Sequence, residues 1–255
     1  MLGVDFTSAP RRAKPITAAR GRLARGRLAV EAVERLEDFA AFEALLARPG
    51  PWVGGFDFPF GLPAELVSDL GWPRRWRALV AHCARLSRDE LRATFDAYRG
   101  GRPPGRKYAH RATDRPAGSS SPMKLVNPPV ALMFHEGAPR VAASGAHVPG
   151  LAAGDRSRVA LEAYPGLLAR SVTRESYKND SRAKQTPARA VARRRIIAAL
   201  DADIPRALRR AMQDDATGDT LDAVLCAVQA ATAASRPRYG LPRRTDPVEG
   251  WIIGA

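Results

Sequence analysis

Trp52-Val53-Gly54-Gly55-Phe56-Asp57-Phe58 is an apolar run holding one acid, closed by Pro59 and Gly61, and it reads as a β-strand. What stands before it gives the strand its place. Residues 37–47 carry apolar side chains at helical spacing through Phe39, Phe42, Leu45 and Leu46, with acids in the first turn, where the helix dipole favours them. Arg48-Pro49-Gly50-Pro51 stops that helix. Further upstream, Leu2-Gly3-Val4-Asp5-Phe6 alternates apolar with small or acidic residues and ends at Thr7-Ser8-Ala9-Pro10. Residues 16–23 and 27–36 are two more extended segments, joined by the basic turn Ala24-Arg25-Gly26. The order is strand, strand, strand, helix, strand: three antiparallel strands, then a crossover helix and a parallel strand.

Downstream the character changes. Residues 62–155 read as an insertion on one side of the sheet, with helices near 63–70, 74–86 and 88–98. A stretch rich in Gly, Pro, Ser and Arg follows as far as Pro122, then a short mixed segment at 127–134. Long irregular stretches of this kind are usually lids, binding loops or disordered segments. Residues 158–164 form a fifth strand, stopped by Pro165-Gly166, and helices are expected at 167–172, 187–200, 205–212 and 218–235. The tail 236–255 is loop-like, with Trp251-Ile252-Ile253 docking back. The expected fold is α/β, a mixed five-stranded sheet flanked by helices. It forms one domain over 1–255, with core 1–61 and 156–255 and the helical and loop insertion 62–155 after the fourth strand.

The chain has 255 residues, 45% of them hydrophobic and 26% charged, enough to build a core without disulfides. Its two cysteines, Cys83 and Cys226, are far apart and have no Cys-x-x-Cys companion, which argues against a structural zinc site and for a reducing compartment. No segment approaches the roughly 20 apolar residues of a membrane span, and the first strand begins at Leu2, so a cytoplasmic protein is expected. The net charge of +15 favours an anionic partner, nucleic acid first. Part of that excess is compositional, because arginine greatly outnumbers lysine beside abundant alanine, glycine and proline.

Three strands share one oddity. Asp5 lies between Val4 and Phe6, Asp57 between Phe56 and Phe58, and Glu162 between Leu161 and Ala163. Strand alternation turns each acid to the face opposite its apolar neighbours, and a carboxylate at a strand centre is costly unless it is paired or bound to metal. Asp219 and Asp222 share a face of the last long helix, although acids in a first helical turn have an ordinary explanation in the helix dipole. Hard divalent cations take oxygen ligands, and two ions about 3.5–4 Å apart serve an in-line phosphoryl displacement. Four or five acids suit such a site, and metal-activated water removes any need for a Ser or Cys nucleophile.

Taken as an ordered set, Gly3-Val4-Asp5-Phe6, Gly55-Phe56-Asp57-Phe58-Pro59-Phe60-Gly61, Leu161-Glu162-Ala163-Tyr164-Pro165 and Asp219-Thr220-Leu221-Asp222-Ala223 resemble domain of unknown function 429. That family is described as predicted RNase H-like nucleases, and the resemblance spans nearly the whole chain. It implies an RNase H-like fold, with which the strand order agrees. It also implies that Asp5 bridges both metals and that Asp57 is the acid near the end of the fourth strand. Asp222, with Asp219 one turn earlier, matches the acidic pair on the late helix of RuvC-like resolvases. Glu162 fits less well: it is either a fourth catalytic acid, a support for the others, or the holder of a basic residue.

The expected catalytic set is therefore Asp5, Asp57, Glu162 and Asp222, and the expected metal ligands are Asp5, Asp57, Asp219 and Asp222, holding two Mg²⁺ or Mn²⁺ ions. Arg106, Lys107, His110 and Arg111 in a polar loop, and Lys178 after the fifth strand, are the candidate substrate contacts. His82, His135 and His147 carry little functional signal, and Trp72, Trp76 and Phe95 read as packing. Arg193-Arg194-Arg195 reads as a solvated helix surface, since consecutive helical positions face three directions. The leading expectation is a metal-dependent nuclease. The alternatives are a non-catalytic RNase H-fold protein that binds nucleic acid or protein, and a metal-dependent hydrolase of nucleotides or other small phosphate esters. The oligomeric state is left open.

Overall fold

The computed structural model describes residues 1–255, the side chain of Arg182 excepted. In chain order, β1 (Leu2–Asp5), β2 (Ile16–Ala24) and β3 (Arg27–Leu36) lead into α1 (Phe39–Leu46) and β4 (Trp52–Asp57). The insertion contributes α2 (Ala64–Asp69), α3 (Trp76–Ala84), α4 (Arg88–Gly100), α5 (Asp114–Ala117) and α6 (Val130–Ala143). The chain then returns to the sheet through β5 (Ala146–His147) and β6 (Asp155–Glu162). It ends with α7 (Pro165–Val172), α8 (Pro187–Ala199), β7 (Ala202–Asp203), α9 (Arg206–Asp214) and α10 (Asp219–Ala234).

The sheet has seven strands in the order β5-β6-β4-β1-β2-β3-β7, not five. The two additional strands are edge pairs of two residues each, too short to carry any alternation in sequence. β1 runs antiparallel to β2, and β2 to β3, whereas β4 is parallel to β1 and β6 parallel to β4. The segment read as mixed at 127–134 opens a helix of 14 residues that tolerates Pro139 in its interior. Because β5 and the start of β6 fall within residues 62–155, that stretch also extends the sheet instead of only covering it. Ile252, from the tail, pairs with Glu162 in a single parallel bridge and is buried with Ile253.

Alternation along β1 and β4 divides the core between the two faces of the sheet. Val4 and Phe56 face α1 and the insertion, in a cluster with Phe6, Phe42, Phe58 and Phe60. Phe6 and Phe58 pack with ring centroids 4.6 Å apart and their planes tilted by 49°. The opposite face is covered by α8, α9 and α10 through Ile196, Ile197, Met212, Leu221 and Val224. Trp76 and Phe95 pack inside the insertion as expected of them. Arg193 does not face solvent: it is buried, donating to the carbonyls of Gln213 at 3.0 Å and Tyr177 at 2.8 Å. Cys83 and Cys226 are buried free thiols. Among the described residues, no helix is long and apolar enough to cross a membrane.

Candidate metal centre

The site begins with two copies of one local pattern, Gly-x-Asp. β1 and β4 pair so that Gly3 lies beside Gly55 and Asp5 beside Asp57. Residues two apart share a face, so both glycines and both acids face α10. The glycines let that helix touch the sheet with its backbone: a Cβ on Gly3 would sit 2.1 Å from the Ala227 nitrogen, and one on Gly55 would sit 2.5 Å from the Cys226 carbonyl oxygen. Asp222 lies one helical turn before Cys226 and is thereby carried to the two strand-end acids. One carboxylate oxygen each from Asp5, Asp57 and Asp222 then lies within 4.8 Å of the others. We expect Gly3→Ala to force helix and sheet apart and to cost about 2–3 kcal/mol or more, as overpacking does. Urea unfolding would measure this, and an unchanged midpoint would contradict the close contact.

Burial, with the neighbouring charges of Asp222 and Glu162, pushes the Asp57 carboxyl up to about 7 even though Lys178 opposes the shift. Asp5 and Asp222 are raised as well, first by burial. Lys178 donates to Asp222 Oδ2, and the Tyr177 hydroxyl donates to Asp222 Oδ1 at 2.6 Å. Burial works against the charge on Lys178, but the surrounding carboxylates outweigh it and hold its pKa well above the usual lysine range. When all three acids are ionised, a single ammonium leaves the cluster net negative, a charge that a cation could offset. Oxygens that ligate a common ion at about 2.0–2.6 Å lie at most about 4–5 Å apart. The three carboxylates, within 4.8 Å of one another, could hold a hard divalent cation.

The other acids are placed differently. Asp219, one turn before Asp222, accepts from Lys14 at 3.0 Å at the rim of the site. Glu162 pairs in register with Phe56, so it faces the insertion and not α10. There it takes both prongs of Arg111, at 2.7 and 2.8 Å, and the backbone N–H of Phe60 at 2.9 Å. Arg111 is not a surface anion contact. It is 2% exposed and also holds Asp114 at 2.9 Å and the Glu249 carbonyl at 3.0 Å. Its charge is committed to two buried carboxylates, which is why a loop position that reads as free in sequence is structural.

The centre opens into a cleft of about 1070 Å³ at the ends of β1, β4 and β6. Lys178 lies in it, together with Lys14, Arg174 and Lys184, and with Ser119 and Ser120 from the Gly-Ser loop. Arg106, Lys107 and His110 are exposed on the insertion and are not among the residues that line the cleft. Arg182, beside Lys184 in the same basic segment, lies outside the described side chains. Lys14 and Arg174 were not singled out by sequence. They reach the site only through tertiary contact, and no motif spacing links them to the acids.

Fold and site together define an α/β protein with a mixed, helix-covered sheet and a centre of three carboxylates, of which Asp5 and Asp57 line a cationic cleft and Asp222 lies buried behind Tyr177 and Lys178. Residues 3–245 match the family model described as Protein of unknown function (DUF429), and the chain belongs to that family. No curated protein matches the chain. No solved structure matches it either.

Proposed function

We propose that this protein is a divalent-metal-dependent nuclease that hydrolyses phosphodiester bonds in nucleic acid. The observation that carries the reading is the convergence of Asp5, Asp57 and the buried Asp222, within 4.8 Å, at a cleft that Asp5 and Asp57 line together with lysine and arginine. The central strands in the order β6-β4-β1-β2-β3, with β4 and β6 parallel to β1, support an RNase H-like core extended by β5 and β7. In this reading the three carboxylates hold the ion, and Tyr177 orients Asp222. Lys14, Arg174 and Lys184 face the phosphates as point charges or forks. A bound divalent cation supplies charge stabilisation to the phosphate and activates water. The donor set is sufficient for one ion, and recruiting a second calls for Asp219 to leave Lys14.

A second reading has an observation of its own. Lys178 already neutralises part of the cluster, so a protein that binds nucleic acid without cleaving it would need no metal to hold these acids together. The discriminating experiment offers labelled single- and double-stranded DNA, RNA, hybrids, junctions and mononucleotide esters with Mn²⁺ or with chelator. Polymer cleavage that chelator abolishes is the expected result. Salt-sensitive binding without cleavage, indifferent to metal, would select the binding protein. Turnover of mononucleotides alone would narrow the substrate to small esters.

A further inference from the structure

Lys178 is held more firmly than a lysine at a cleft surface needs to be. Tyr177 is anchored by its hydroxyl on Asp222 and by its carbonyl, which accepts from the buried Arg193 at 2.8 Å. On the other side, the Asn179 N–H donates to Ala216 at 3.3 Å, and the Gln185 amide donates to the carbonyls of Asn179 and Ala216. The stem of Lys178 lies against Gly218, where a Cβ would come 2.8 Å from the lysine Cβ, and where φ of +81° favours glycine on its own account. Backbone and stem are therefore fixed, and only the end of the side chain is free to change station.

Its present station is Asp222, which ties it to the cluster that the reading above assigns to a cation. A dication held by the same carboxylate would face the ammonium at short range, and the two like charges repel. The Lys178 side chain is 40% exposed, so a route into the cleft is open to its tip. We propose that Lys178 is the resident counter-ion of the carboxylate cluster, exchanged by the divalent cation and then turned toward the anionic substrate in the cleft. This rests on the metal-centre reading and adds a role for the lysine: it keeps three buried acids together before the ion arrives.

The test is Mn²⁺ affinity by calorimetry for the full chain, without nucleic acid, in wild type, Lys178→Met and Lys178→Arg. Exchange predicts that Lys178→Met binds Mn²⁺ roughly tenfold tighter or more, because the competing charge is gone, while Lys178→Arg gains nothing. It also predicts that Lys178→Met melts lower than wild type without metal and recovers with Mn²⁺. Equal or weaker binding by Lys178→Met, beside a wild type that binds Mn²⁺ well, overturns the exchange and leaves the metal centre standing. Absence of binding in all three proteins overturns the metal centre, and the exchange with it. If Lys178→Met fails to fold, Lys178→Gln with its polar side chain replaces it under the same expectations.

Discussion

Asp57→Asn is expected to abolish metal-dependent cleavage and, in the same protein, to make the metal-free fold more stable at pH 8. The loss of activity follows from the donor set. Three carboxylates hold the ion, and replacing one removes both a ligand and a charge from a site whose Lewis acidity is worth several kcal/mol, roughly a thousandfold in rate or more. The gain in stability follows from burial. Burial holds the Asp57 carboxyl at about 7 in the folded chain, against about 4 for an aspartate in water. A group whose folded pKa is raised contributes its stability at low pH and loses it as pH climbs from about 4 through about 7. Above that window the wild-type fold carries a carboxylate it would rather keep protonated, and asparagine carries none.

The difference between variant and wild type should therefore be small at pH 4 and grow to on the order of 4 kcal/mol at pH 8, a figure in which the opposing charge of Lys178 is already included. Urea melts at the two pH values, with chelator present, would measure it. Mn²⁺ should reverse the order at pH 8, because binding to deprotonated acids stabilises only the wild type. A variant less stable than wild type at pH 8 without metal would mean that Asp57 is satisfied by its protein partners, and the case for an ion would weaken. Asp5→Asn should behave in the same sense, since burial raises Asp5 as well.

Asp5 and Asp57 were legible because each is a lone charge in an apolar run, a cost that folding rarely accepts without return, whereas Asp222 stood out only as one of a pair with Asp219 in a first helical turn. Their register was not. Sliding a strand by one residue turns every side chain to the other face, and nothing local in residues 158–164 specifies the register of β6 against β4. The pairing of Phe56 with Glu162 is what sends the glutamate to the insertion while Asp5 and Asp57 meet α10. The glycines two residues before each aspartate were visible as part of a motif, but their purpose, backbone contact with Ala227 and Cys226, depends on the helix that lands there. α6 was obscured by the prolines that open and interrupt it, and Lys14 reaches Asp219 across 205 residues of sequence. Strand patterns and end signals are local physics, whereas the counter-ions of a buried site are chosen by the tertiary fold.

Arg111→Ala is expected to be the most damaging single change to stability. It strands Glu162, 4% exposed, and Asp114, 1% exposed, beneath the insertion, and it frees the Glu249 carbonyl. Removing one side of a buried ion cluster costs about 3–5 kcal/mol, mostly the desolvation of the charges left behind. For a chain of this size that lowers the melting temperature by about 6–20 °C. Replacing the whole cluster together, Arg111→Met with Asp114→Leu and Glu162→Met, should recover part of the loss, because no charge then remains buried; the Phe60 N–H still lacks its acceptor and limits the recovery. Arg111 and Glu162 line the same cleft as Asp5 and Asp57, but the Arg111 guanidinium bonds Glu162, Asp114 and the Glu249 carbonyl and none of the three aspartates, so Mn²⁺ affinity measured well below the melting point should change far less than stability does. A single variant that keeps its melting temperature but binds nucleic acid less tightly would return Arg111 to the role of an anion contact. The opposite pattern, a large loss of stability with metal affinity intact, would separate the residue that holds the cleft's wall in place from those that act within it.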